Sequence, residues 1–181
     1  LPHIGDNFLE IREPVWIEFD EEPWMIADNH FGHFNIIRYT GRPFSSSREM
    51  DYVMVQNWNE VVKSDDFLLH LGDFGLTASK RMEEIISQLN GRKWIIVGNH
   101  DKSANWYENH GFERAFNTPL EVEDCILSHR PRVPCPKLNI HGHIHEKTMD
   151  LPGYVCVSVE HTDYKPVRLN QVLESYRKEG K

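Results

Sequence analysis

The sequence predicts a single mixed α/β domain with two sheets packed together. Three observations carry that expectation. The first half of the chain alternates strand and helix patterns, the second half is a run of short strands separated by turns, and no linker, repeat or low-complexity tract divides the 181 residues. The length suits one domain, expected over residues 1–181, with enough chain to bury a real core.

The elements follow in order. Residues 1–23, with Pro2, Pro14, Pro23 and the acidic run Glu18 to Glu22, predict an irregular extension in which Val15 to Phe19 alternates like an edge strand. Trp24 to Ala27 reads as a short buried strand ending at Asp28. Asp28 to Ser47 holds Gly32, Gly41, Pro43 and three serines, which predicts a long loop with one helical turn. Loops of that length are usually functional. From Ser47 to Lys63, Met50, Val53, Met54, Trp58, Val61 and Val62 recur at helical spacing. Phe67 to Leu71 is a strand, Ser79 to Leu89 a helix closed by Asn90-Gly91, and Lys93 to Val97 a strand before Gly98. Residues 103–110 form a short helix, and Leu120–Val122, Cys125–Ser128, Leu138–Ile140 and Tyr154–Val159 are short strands. Leu169 to Lys178 is the terminal helix.

Composition narrows the function classes. With 39% hydrophobic and 27% charged residues the chain has ordinary globular character. A formal charge of −8 argues against a broad basic face for duplex nucleic acid, but leaves nucleotides and short oligonucleotides open, because bound metal ions attract phosphate locally. The three cysteines, Cys125, Cys135 and Cys156, lack metal-ligand spacing and are odd in number, so a reducing, cytoplasmic setting is expected. No apolar run suggests a membrane partner or a signal peptide, and the start at Leu1 fits a processed or trimmed terminus.

The chemistry lies where the strands end. Asp28-Asn29-His30 follows Met25-Ile26-Ala27, Gly72-Asp73 follows Phe67-Leu68-Leu69, and Gly98-Asn99-His100-Asp101 follows Trp94 to Val97. His129 follows Cys125 to Ser128, and His141-Gly142-His143-Ile144-His145 follows Leu138-Asn139-Ile140. Each strand thus delivers oxygen or imidazole ligands at its carboxyl end, the edge where open α/β sheets bind ligands. An H-x-H pair alone means little in a chain of eleven histidines, and Gly72-Asp73 alone reads as a turn. The joint set is hard to obtain from unrelated turns.

These segments resemble the calcineurin-like metallophosphoesterase family, whose pattern runs D-x-H, G-D, G-N-H-D or G-N-H-E, a lone His, then G-H-x-H. The match spans nearly the whole chain. His30 to Ile37, followed by Gly41-Arg42-Pro43-Phe44, is similar to a small bacterial and phage branch of it. The resemblance implies a four-layer sandwich of two mixed β-sheets flanked by helices. It implies that Asp28, His30 and His145 hold one metal, that Asp73 bridges to a second, and that Asn99, His129 and His143 complete the second. It also implies that His100 serves the leaving-group oxygen, with Asp101 beside it.

Chemistry explains those residue types. Two divalent ions roughly 3.5–4 Å apart can share one carboxylate oxygen and one hydroxide and clamp an in-line displacement. A bridge must be anionic and bind twice, which suits Asp73. Four imidazoles favour Mn, with Ni, Fe or Zn as alternatives, over Mg or Ca. The H-x-H spacing puts His143 and His145 on one side of an extended strand end, with Ile144 pointing into the core. His100 suits general-acid work near neutral pH, with a purely structural role as its alternative. Asp101 fits either catalysis or N-capping of the 103–110 helix. In the loop after His30, His33 and Asn35 are substrate-facing candidates and Arg42, preferred to Arg38, is a phosphate clamp. Arg130 and His161 are further candidates for the cleft.

The reading is therefore a binuclear metal-dependent phosphoesterase. A phosphodiesterase acting on a small nucleotide or nucleic-acid-derived substrate stands first and a phosphomonoesterase second. A non-catalytic metal-binding scaffold and a Zn-dependent amide hydrolase are the competing classes. Gly72-Asp73-Phe74-Gly75-Leu76-Thr77 departs from the G-D-x-x-D-R-G of protein phosphatases.

Overall fold

Period-two alternation sorts the central strands onto two faces, and two cores result. In a computed structural model that describes residues 9–178, Met25, Ala27, Phe67, Leu69, Leu71 and Ile96 face one core, while Ile26, Leu68 and Ile95 face the other. The elements run β1 (Val15–Trp16), β2 (Trp24–Ile26), α1 (Phe34–Thr40), α2 (Ser47–Val61), β3 (Phe67–His70), α3 (Ser79–Ile86), β4 (Arg92–Ile96) and α4 (Ala104–Glu108). They continue through β5 (Arg114–Phe116), β6 (Leu120–Val122), β7 (Cys125–Ser128), β8 (Leu138–His141), β9 (Tyr154–Cys156), β10 (Val167–Arg168) and α5 (Leu169–Lys178). Of the irregular extension expected over residues 1–23, residues 1–8 lie outside the described residues, and the edge strand expected in Val15 to Phe19 is β1, paired to β6.

Two mixed five-stranded sheets form, with order β10-β2-β3-β4-β5 and β1-β6-β7-β8-β9. In the first, β2 to β5 are parallel and β10 is antiparallel; in the second, only β6 and β7 are antiparallel. The sheets face each other across Met25, Leu69, Ile96, Leu127, Ile140 and Val157, and α5 turns Val172 to the same core. The other face of the first sheet is covered by helices through Ile36, Met50, Met54, Trp58, Met82 and Ile85. Each such side chain contributes roughly 1.5–3 kcal/mol on burial. The result is the predicted pair of mixed sheets flanked by helices.

The sheets meet at the site. Ala27 bridges to Ser158, with Ala27 N donating to Val157 O and Val159 N to Ala27 O. The carboxyl ends of β2, β3 and β4 therefore stand beside those of β7 and β8.

Some expectations need correction. The segment 28–47 is not a loop with one turn, because Phe34–Thr40 forms a helix held by buried Ile36 and Ile37 and closed by Gly41 at φ 66°. Its N-terminal His33 makes no side-chain cap, so the start signal was missing from the sequence. β5 and β10 were not foreseen; at three and two residues they are too short to show a period. The Ser79 helix stops at Ile86, short of Leu89. Among the described residues no helix is long and apolar enough to cross a membrane.

Candidate metal centre

Seven non-glycine residues among those described have positive φ, and five of them are predicted ligands: Asp28 (60°), His30 (52°), Asp73 (55°), His143 (72°) and His145 (54°). Left-handed backbone is uncommon for side chains of this kind and costs about 1–3 kcal/mol each, so it persists only where neighbours fix it. Here they do. Asp28 N donates to Gly72 O and His30 N to Asp73 O, so the loops after β2 and β3 run side by side. His143 N donates to Asp28 Oδ2 at 2.8 Å, and His100 N to Asp73 Oδ1 at 2.9 Å.

Glycines let these loops close. A Cβ on Gly98 would overlap Asp73 Oδ1 and its amide nitrogen, and one on Gly142 would stand 2.5 Å from Asp28 Oδ2. The glycines of G-N-H-D and G-H-x-H are thus set by a ligand from another strand lying against their Cα.

The side chains gather into two sets. Asp28, His30 and His145 offer ligand atoms within 4.8 Å of one another, as do Asp73, His129 and His143. Asp73 joins them: its Oδ2 lies 3.4 Å from His129 Nε2 and 3.5 Å from His30 Nε2. Asn99 Oδ1 lies 3.0 Å from His129 Nε2, which adds it to the second set. All seven predicted ligands therefore meet in one place. These two His/Asp sets could each hold a metal ion.

Electrostatics tests that fit. Asp28 Oδ1 and His30 Nε2 are buried without a hydrogen-bond partner, the state of atoms whose natural partner is a cation. Burial raises the Asp28 pKa, and the charge of Asp73 adds to it. Burial also works against ionised Asp73, but the charge and hydrogen bond of His129, with His30 and the His100 amide, hold its carboxyl well below the usual range. His129 is pushed up to about 9, since Asp73 and Asp28 outweigh its own burial. His143 falls to about 3 through burial, with His129 adding. The buried carboxylates thus favour a proton on His129, burial disfavours one on His30 and His143, and, against its burial, the Glu160 contact raises His145. Divalent cations would satisfy the same demand.

Other predicted residues fall elsewhere. His100 is exposed at the rim, its ring 5.4 Å from that of His30. Asp101 does not cap the short helix, because Ser103 does, accepting from Trp106 N. Its carboxylate instead accepts from Asp73 N, Gly98 N, Phe74 N and Tyr107 Oη at 2.7–2.8 Å. With four donors already on it, Asp101 fastens the β3 loop to the β4 loop and is a positioning residue. Arg42 also departs from expectation. It is buried, donates to Asp28 O (2.7 Å), Asn29 O (2.8 Å) and Glu160 Oε1 (2.9 Å), and has no reach to a substrate phosphate.

A cleft of about 280 Å³ opens on the centre, lined by His30, His33, Tyr39, His100, His145 and Lys147 among others. His33 lies on it, with Nδ1 3.3 Å from His30 Nδ1. Asn35 does not line it and points out on exposed α1. Arg38, Arg130 and His161 do not line it either. The H-x-H segment is not extended: β8 ends at His141, and left-handed His143 and His145 are separated by Ile144, whose N bonds Gly142 O. Ile144 is buried, as expected, but it lies against the cleft and outside the two main cores. Larger cavities, of about 390 Å³ beside α5 and about 570 Å³ around Asp51 and Arg81, contain none of the seven ligands.

The sequence did not reveal the supporting shell. Ser158 Oγ donates to Asp28 Oδ2 at 2.6 Å, and Glu160 Oε1 stands 3.5 Å from His145 Nδ1 and 2.8 Å from Arg42. The available signal was slight: Ser158 and Glu160 interleave with Val157 and Val159 past a strand end. His70, buried in β3, is pushed down to about 3 by desolvation and contacts Asn29 Oδ1 at 2.9 Å.

No family model matches the chain. The uncharacterized protein MJ1445 of Methanocaldococcus jannaschii is 34% identical over 172 residues, covering 86% of this chain and 91% of that protein. The Gene 66 protein of Mycobacterium phage L5 is 27% identical over 159 residues, covering 67% of this chain and 76% of its own. The crystal structure of AQ665, a protein of unknown function from Aquifex aeolicus, superimposes with a TM-score of 0.70 at 27% identity, covering 84% of this chain and 98% of that one.

Proposed function

This chain belongs to the family of the Methanocaldococcus jannaschii protein MJ1445, and on that premise we propose that it is a binuclear metal-dependent phosphoesterase. The observation that carries the reading is the position of Asp73 Oδ2, within 3.5 Å of imidazoles from both ligand sets. One carboxylate oxygen aimed at two neighbouring cation sites is what an in-line displacement at phosphorus uses. Divalent ions held by Asp28, His30 and His145 and by Asp73, Asn99, His129 and His143 would supply charge compensation for a phosphoryl group and activation of the attacking water.

The chain's own residues do the rest. Asp73 keeps the two sets in register, and Asp101 fixes Asp73 by holding its backbone. His100, exposed beside His30, is placed to pass a proton to the leaving-group oxygen. His33, 3.3 Å from His30, stands at the substrate side of the same cleft. A cleft of about 280 Å³ suits a small phosphodiester, such as a nucleotide or an unpaired nucleic-acid end. Mn is the first choice of metal, with Ni, Fe and Zn as alternatives, because imidazole dominates the set.

Reconstitution tests this directly. Protein stripped by chelator and reloaded with Mn, Ni, Zn or Fe in turn is expected to bind two ions per chain. It is expected to hydrolyse an aryl phosphodiester faster than the matching monoester. Stoichiometric metal with no turnover of either ester under any of the four metals would sink the enzyme reading.

A further inference from the structure

The wall facing the metal centre carries an aromatic ring that the phosphoester chemistry does not use. Tyr39 is 72% exposed on α1, yet it lines the cleft together with His30 and His100. Its ring stands 6.4 Å from that of His33 in an edge arrangement, and His33 stands 5.4 Å from His30. Two ring-to-ring steps therefore lead from a metal ligand to an exposed aromatic face. Lys147 lines the same cleft as an exposed cation.

The charge of the chain decides what such a ring is for. A net charge of −8 argues against a broad basic face that would hold a nucleic-acid substrate by counterion release. Any affinity for the organic part of the substrate must come from contacts beside the centre. A flat ring offers one kind that tolerates every base, since each base has a π-face. Tyrosine also supplies that area with only two side-chain torsions to fix. A duplex hides its bases, so a ring in this position serves an unpaired nucleotide.

We propose that Tyr39 is a base-stacking, specificity-determining residue, and that the substrate is a nucleotidyl phosphodiester with an unpaired base. The proposal rests on the phosphoesterase reading above and adds the substrate class to it. A phosphoryl group at the metal centre, with a base attached through one sugar, brings that base to the Tyr39 ring. Lys147 then faces a neighbouring phosphate.

The test compares two esters with one leaving group: the p-nitrophenyl ester of thymidine 5′-phosphate and methyl p-nitrophenyl phosphate. The metal-loaded wild type is expected to favour the thymidylyl ester in KM by roughly tenfold. Tyr39→Ala and Tyr39→Leu remove that preference, Tyr39→Phe keeps it, and Phe34→Ala, which alters an exposed aromatic of α1 outside the cleft, keeps it too. A wild-type preference that survives Tyr39→Ala and Tyr39→Leu, or that Phe34→Ala removes equally, overturns the proposal. So does a wild type without preference. Turnover of the methyl ester reads the phosphoesterase function separately. If neither ester is cleaved, titration of the metal-loaded protein with thymidine 5′-monophosphate decides the stacking alone. Binding weakened about tenfold by Tyr39→Ala supports it, and equal or absent binding rejects it.

Discussion

Asp28, His30, Asp73, His143 and His145 sit in left-handed backbone among buried hydrogen bonds, whereas Phe34 to Thr40 across the cleft form a short helix with two buried side chains. The first region is fixed several times over: the amides of Asp28, His30, Asp73 and His143 each donate to a carbonyl or carboxylate of another loop. The second is attached through Ile36 and Ile37 and otherwise meets solvent. Strain in one region and exposure in the other match different tasks. Ligands for metal must be placed within a fraction of an ångström, while a wall that receives a substrate gains by remaining open. Substitutions in the ring should therefore be felt strongly and jointly, and those on α1 singly and weakly.

The largest break in that contrast is Asp73→Asn. The amide keeps the shape and can still accept from the His100 amide, but it removes the one anion aimed at both ligand sets. Bound metal is expected to fall from two ions to one or none, and phosphodiester turnover by about a thousandfold, roughly 4 kcal/mol of barrier. Elemental analysis beside a rate assay checks both. Two retained ions with full activity would show that Asp73 is not the shared ligand.

The same contrast explains what could be read in advance. The candidate ligand set was legible because each member follows a short apolar strand. Asp28 after Met25 to Ala27 and His129 after Cys125 to Ser128 depend only on a strand ending and a polar residue beginning. The fold class was legible because strand and helix patterns alternate in the first half of the chain and short strands follow in the second. Arg42 was misjudged as a substrate clamp because sequence gives its type and not its burial. Its guanidinium is consumed by the carbonyls of Asp28 and Asn29 and by Glu160, some 118 residues away. Asp101 was half understood: a carboxylate near a helix start suggests a cap, and only the fold shows it gripping the β3 loop. Contacts that close across two sheets, such as Ser158 with Asp28, leave no periodic trace.

A medium effect sharpens the comparison by touching the ring from behind. Glu160 lies between buried Arg42 and His145, and those partners hold its carboxyl down to about 2 although burial pushes the other way. Glu160→Gln keeps the volume and one acceptor, but leaves the Arg42 guanidinium without its counter-charge and His145 without its carboxylate. Affinity for the ion at Asp28, His30 and His145 is expected to weaken by about 10–100-fold, as for other carboxylate–histidine–metal arrangements. Titration of apo protein should show one of two binding events moving while the other stays. Equal weakening of both would mean that Glu160 acts through general stability, which a thermal melt would reveal.

The smallest effect lies on the helix. Asn35 was a substrate-facing candidate by its place in the sequence, yet it stands on the exposed side of α1 and does not line the cleft. Alanine has the higher helix propensity and no bond is lost, so Asn35→Ala should change stability by less than about 0.5 kcal/mol. Phosphodiester kcat/KM should stay within about twofold, far below the loss expected from the ring. A tenfold fall in kcat/KM with the melting temperature unchanged would place Asn35 against the substrate. It would also mean that α1 rotates or closes over the cleft when substrate binds, and the contrast between a fixed ring and a passive wall would have to be given up.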